Sequence, residues 1–146
     1  MIRIIVDRTP IDVAAEMTSI EAGGAGAVAT FTGLVRADDG VGTLELEHYP
    51  GATEAALQKL AEQATERWSL LAATIVHRVG AMHPGERIVF VGVSAPHRGA
   101  ALESCAFLID RLKTDAPFWK RETRAGDARW VEPRGSDDAA AARWQA

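Results

Sequence analysis

Residues Ile88 to Ser94 (IVFVGVS) form a nearly unbroken apolar run in which β-branched side chains dominate. A strand with one wet face alternates apolar and polar residues, so a continuous apolar run belongs to a strand covered on both faces. That places Ile88–Ser94 at the centre of a sheet and requires further strands beside it. Pro96-His97-Arg98-Gly99 then turns the chain into a helix from about Ala100 to Thr114, with Leu102, Cys105, Ala106, Ile109 and Leu112 as its expected buried stripe.

The remaining segments supply the partners. Ile2–Val6 reads as a strand, and Thr9-Pro10 as an N-cap and first helical residue of a short helix to about Met17. Asp12 would then sit in that helix's first turn. Ala27–Arg36 and Thr43–Tyr49 read as strands, the second alternating, joined as a hairpin across Ala37–Gly42. Thr53 is the expected cap of a helix running to about Trp68. Ala72–Val79 is a strand, Met82–Glu86 a loop, and Phe118–Thr123 and Ala128–Glu132 two further strands. Helices are too few for a doubly wound sheet, so the fold class is α+β with a largely antiparallel or mixed sheet. Residues 1–134 are expected to form a single domain, and 135–146 a polar, alanine-rich tail whose helix needs docking to be stable.

The chain has 146 residues, 47% hydrophobic and 25% charged, enough to bury a core unaided. It has no run of roughly 20 apolar residues for a membrane span. Its first residues lack a secretory signal pattern. A soluble, cytoplasmic protein is the expectation. Cys105 is the sole cysteine, so no internal disulfide can form. The net charge of −4 argues against a general nucleic-acid binder. Yet Arg111 to Arg134 carries +3, leaving −7 elsewhere. A basic site on an acidic chain suits one small anion.

Gly24-Ala25-Gly26-Ala27-Val28-Ala29 matches a relaxed dinucleotide fingerprint, which requires a strand before it and a helix after. Here the order is reversed, so the match carries no weight. The histidines His48, His77, His83 and His97 have no helical i, i+4 pairing, and no second cysteine exists to help build a local zinc site. His77 is expected to be a half-buried or surface histidine. Cys105 on its apolar stripe is expected to be packing rather than a nucleophile.

What remains is an anion site. A helix N-terminus at His97–Arg98 presents unsatisfied N–H groups and a positive dipole. Arg36 ends a threonine-rich strand, and taken by itself a solvated arginine is the plainer reading of it. Lys113 sits in a last helical turn, where dipole compensation alone explains it. Lys120 follows Phe118-Trp119 and shares a strand face with Phe118 and Glu122. Apolar walls can lower a lysine's pKa and let it exchange protons. A surface ion pair with Glu122 is the plainer alternative.

As a set, these segments are familiar. FTGLVR (Phe31–Arg36), LELEHYPG (Leu44–Gly51), HRVGAMHPGERIVFVGVSAPHR (His77–Arg98), LKTDAPFWKRE (Leu112–Glu122) and RWVEPR (Arg129–Arg134) occur in order. The chain resembles the large, catalytic subunits of molybdopterin synthases from its first strand to about Arg134.

The resemblance implies an α/β hammerhead-like fold with an added antiparallel β subdomain. It implies a sulfur transferase that converts cyclic pyranopterin monophosphate (precursor Z) to molybdopterin, with neither metal nor other cofactor. Sulfur would come from the C-terminal glycine thiocarboxylate of a small ubiquitin-like partner subunit. Two large subunits would form a central dimer within a heterotetramer. By motif, Lys113 and Lys120 correspond to catalytic lysines. Arg36, His97 and Arg98 correspond to substrate-anion contacts, with the Leu34–Val35 backbone, Arg121 and Glu122 beside them. Phe31 and Arg134 correspond to pocket positions. Leu34 departs from the family pattern, where a polar residue is common. Sites in this family can combine residues of both protomers. The contrasting reading is a non-catalytic anion-binding or partner-docking module, which would not need the lysines for turnover.

Overall fold

The computed structural model describes residues 1–21, 23–36, 42–124, 127–131 and 135–144. Two four-stranded sheets organise them. The first has the order β1-β4-β6-β2, built from β1 (Ile2–Asp7), β2 (Ala27–Leu34), β4 (Ala72–Arg78) and β6 (Arg87–Ala95). Only β1–β4 is parallel; β4–β6 and β2–β6 are antiparallel. The second, wholly antiparallel, has the order β5-β3-β7-β8, from β3 (Thr43–His48), β5 (Gly80–Met82), β7 (Phe118–Arg124) and β8 (Asp127–Val131). The α+β organisation is the expected one, and the second sheet is the added antiparallel element.

β6 is central, as its apolar run demands. Val89, Val91, Val93 and Ala95 join the main core with α2 (Ala52–Trp68) and α3 (Arg98–Asp115). Phe90, on the other face, packs with Ile11, Ile20, Ala72 and Val76 beneath α1 (Val13–Ile20). The strand lacks polar alternation because both its faces are covered.

Several local expectations need correction. The β2–β3 hairpin does not form: β2 pairs with β6, whereas β3 pairs with β5 and β7. Non-local partners outcompete a turn too long to fix a tight hairpin register. Helix α1 is capped not by Thr9 but by Asp12, whose carboxylate accepts from Ala15 N at 3.1 Å. Thr9 is already engaged, its N–H and hydroxyl both donating to the Asp7 carboxylate. Thr53 does not cap α2 either. Gly51 takes that place at φ +85°, and Glu54 Oε1 accepts from its N–H. The buried Thr53 hydroxyl accepts from Tyr49 N and donates to Pro117 O, tying α2 to the start of β7.

On α3 the buried residues are Ala101, Ser104, Cys105, Phe107, Leu108 and Leu112, and Leu102 is 63% exposed. The stripe is rotated because α3 packs on β2 and β6 and on two helices as well. The tail forms α4 (Gly135–Ala142) and docks. Trp144 meets Trp68 and Phe107 edge-on, and its indole N–H donates to Asp110 at 2.7 Å. No helix among the described residues is long and apolar enough to cross a membrane.

Candidate active site

Lys113 lies in the last turn of α3, which runs back antiparallel to β6. Its side chain lines a small crevice with Phe31, Val89, Val91, Ile109 and Leu112. Lys120 lies on β7, where register places it opposite Leu46, with Phe118 opposite His48 and Glu122 opposite Leu44. Leu44 and Leu46 are buried, so Phe118, Lys120 and Glu122 share the core-facing side of the second sheet. Lys113 and Lys120 are both exposed.

The charges of both lysines act on His77. This histidine is buried at 5% exposure, not half-buried or at the surface. β4 pairing sets it opposite Val89, and its ring stacks on Phe118 at 4.0 Å and 23°. Burial drives its pKa down to about 4, and the charges of Lys113, Lys120 and His48 push in the same direction. A contact with the Arg78 carbonyl at 2.9 Å opposes the shift. A carbonyl only accepts, so His77 Nδ1 carries the proton and the neutral ring leaves Nε2 as an acceptor. Hydropathy alternation gave no warning of this placement. The signal that could have found it is the pairing of His77 with Phe118 across two sheets, which a single strand's pattern does not contain.

Arg36 follows β2 at the same end of the first sheet. Val35 is held between neighbours: its N–H donates to Glu86 O and its carbonyl accepts from Gly85 N, each at 2.9 Å. Glu86 is fixed in turn by Arg78, whose guanidinium donates to it at 3.0 Å, and by the N–H of His83. These donors hold the Glu86 carboxyl below the usual carboxylate range. Both Val35 backbone groups are thereby committed, which fixes the backbone from which Arg36 extends. Leu34 is exposed.

His97 and Arg98 stand elsewhere. His97 is the N-cap of α3 with extended backbone and no side-chain cap bond, and both residues are exposed. β2 and β6 are antiparallel, pairing Ala27 with Ala95 and Leu34 with Arg87. Arg36 and His97 therefore leave opposite ends of the pair, roughly 26 Å apart at strand rise. One chain does not bring them to one small anion. Arg121 alternates to the outer face of β7, donating to Glu45 at 3.0 Å beside Trp130. Arg134 lies outside the described residues. Cys105 is buried, and desolvation pushes its thiol up to about 11. Among the described residues no group of three His, Cys, Asp or Glu side chains could hold a metal ion.

The arrangement offers Lys113 at an apolar crevice, Lys120 on the neighbouring sheet and, at a distance, a helix N-terminus with two basic side chains. The family model described as MoaE protein matches residues 6–115. The chain belongs to the MoaE family. It is 51% identical to the molybdopterin synthase catalytic subunit of Pseudomonas aeruginosa, covering 97% of this chain and 98% of that one. It is 49% identical to the subunit of the same name from Escherichia coli, covering 97% of each. Among solved structures, the molybdopterin biosynthesis MoaE protein of Burkholderia ambifaria superposes with a TM-score of 0.87 at 47% identity, covering 100% of this chain and 99% of that one. These MoaE relatives span the strands and helices that carry Lys113, Lys120, Arg36 and His97.

Proposed function

We propose that this chain is the catalytic subunit of a molybdopterin synthase. It transfers sulfur to cyclic pyranopterin monophosphate (precursor Z) from the C-terminal glycine thiocarboxylate of a small ubiquitin-like partner, in the cytoplasm. The observation that carries the reading is the 51% identity, over 97% of this chain, to a molybdopterin synthase catalytic subunit, together with two lysines, from a helix end and from a different sheet, whose charges both act on the buried His77. The chain has only three lysines, and the third, Lys59, lies on α2.

Sulfur transfer requires anionic charge on the thiocarboxylate and the cyclic phosphate to be held while protons move. A lysine amine performs both tasks when its surroundings tune it. Lys113 and Lys120 are the proton-handling pair, with Phe31 as an apolar wall and Glu122 as a neighbour of Lys120. Arg36 anchors the phosphate from the same end, Arg134 belongs to the rim, and Arg121, on the outer face of β7, stays outside the site. Leu34 and Val35 shape the approach.

His97 and Arg98 act on the same substrate from a second copy of the chain. Their separation from Arg36 within one chain favours a two-fold dimer whose sites each take residues from both protomers, repeated identically by symmetry. The partner's extended tail enters along the crevice toward Lys113.

Mixing Arg36→Ala and His97→Ala chains tests this. Each variant alone is expected to be nearly inactive with thiocarboxylated partner and precursor Z. Random exchange makes half the dimers mixed, each with one intact site, restoring about a quarter of wild-type turnover. A mixture as inactive as its components would place all these residues in one protomer's site or deny them a role. A sedimentation mass of one chain at working concentrations would refute the dimer itself.

A further inference from the structure

We infer that His77 is a positioning residue for the lysine pair, acting through its ring stack on Phe118 to hold the first residues of β7 and thereby set where Lys120 stands relative to Lys113. The inference rests on the reading of the two lysines given above, and it adds a residue that touches no substrate.

The geometry argues for this route. His77 belongs to the first sheet and Phe118 to the second, and ring planes 23° apart at 4.0 Å give a direct side-chain contact between β4 and β7. Phe118 is the first residue of β7, and Lys120 follows two residues later on the same face. Just upstream, the helix carrying Lys113 ends at Asp115. Only Ala116 and Pro117 separate the two elements, so the point at which β7 is seated sets the distance between the lysines. Pro117 O accepts from the Thr53 hydroxyl at 3.3 Å, which holds the connection from the α2 side. The His77–Phe118 stack holds it from the sheet side.

The ring's chemistry suits the task. Nδ1–H donates to Arg78 O within its own strand, fixing the ring's orientation. Three other basic groups act on it: His48, Lys113 and Lys120. A neutral ring adds no further cation to that group. A buried histidine here gives an aromatic surface for Phe118 that an aliphatic residue would not.

The test compares His77→Ala, His77→Phe and Phe118→Leu with the wild type in complex with the partner. The first readout is the kcat and KM for precursor Z, and the second is amine acylation of the three lysines followed by peptide mass spectrometry. Lys59 serves as internal reference, so the second readout needs no turnover. His77→Ala and Phe118→Leu are expected to lower kcat at least tenfold with KM within about threefold. Acylation of Lys120 relative to Lys59 should change at least threefold. His77→Phe, which keeps a stacking ring, should recover most of the kcat and return the Lys120 labelling toward wild type.

Unchanged kcat and unchanged Lys120 labelling in a folded His77→Ala or Phe118→Leu chain would overturn the proposal. Equal losses in His77→Phe and His77→Ala would overturn it too, since the nitrogens and not the stack would then matter. Should His77→Ala fail to fold, Phe118→Leu decides. If labelling responds as expected while the wild type transfers no sulfur, the positioning stands and the functional reading falls.

Discussion

Gly26 donates its backbone N–H to the Ala95 carbonyl at 3.0 Å, and a Cβ on Gly26 would lie 2.0 Å from the Pro96 carbonyl oxygen. The entry to β2 is thus pressed against the turn that delivers His97 to the head of α3. The glycine-rich segment that mimics a dinucleotide fingerprint has this packing purpose instead. Gly26→Ala must push backbone away from backbone, an overpacking cost of about 2–3 kcal/mol. We expect a lower denaturant midpoint and lower turnover. A variant within experimental error of wild type in both would contradict the tight approach.

Lys120→Arg separates charge from proton transfer. Arginine keeps the positive charge but does not deprotonate in the working range. If Lys120 handles a proton, Lys120→Arg should be nearly as inactive as Lys120→Ala while both still bind the partner subunit. Turnover close to wild type in Lys120→Arg would reduce the role to electrostatics alone.

His77 makes stability depend on mild acid. Its pKa falls from 6.5 in the unfolded chain to about 4 in the fold. Between those values the unfolded chain binds more protons, so stability declines as pH falls through that window and this contribution is constant above it. The full loss amounts to ~3 kcal/mol, by 1.36 kcal/mol per pKa unit. The lowered carboxyls of Asp7 and Glu86 add acid sensitivity of the same sign at still lower pH. Urea unfolding of wild type and His77→Phe from pH 8 to pH 4.5 checks this. The variant should show a flatter profile between pH 6.5 and 5, and parallel profiles would refute the assignment.

Cys105 is buried, and its raised pKa makes it a poor nucleophile at neutral pH. Cys105→Ser should retain substantial sulfur-transfer activity, because in the proposed reaction the sulfur arrives on the partner. It should lose about 1–3 kcal/mol of stability from a poorly paired hydroxyl. Abolished turnover in a stably folded Cys105→Ser chain would reassign the thiol to the chemistry.

Arg121 and Lys120 are neighbours in sequence but occupy opposite faces of β7. Removing the partly buried Arg121–Glu45 pair by Glu45→Gln should cost about 1 kcal/mol. It should leave kcat within twofold. A kcat loss comparable to that of Lys120→Ala would place the outer face in the site.

The sequence by itself determined the central strand, the α+β class and the family to which the chain belongs, and it named the candidate residues of a basic site. These follow from local patterns: an apolar run with no alternation, a helix start after Pro96, and ordered motifs such as PFWKRE. It also determined that Lys120 shares a face with Phe118 and Glu122, since strand alternation is a property of the chain alone. The tertiary structure decided which strands pair, because β2 could adopt one register with β6 or another with β3, and only the competition between non-local contacts selects. It decided that His77 is buried under Phe118, a contact between two sheets that no periodicity encodes. It separated Arg36 from His97 as well, because antiparallel pairing of β2 with β6 sends their ends to opposite edges. Sequence distance carries no record of that reversal.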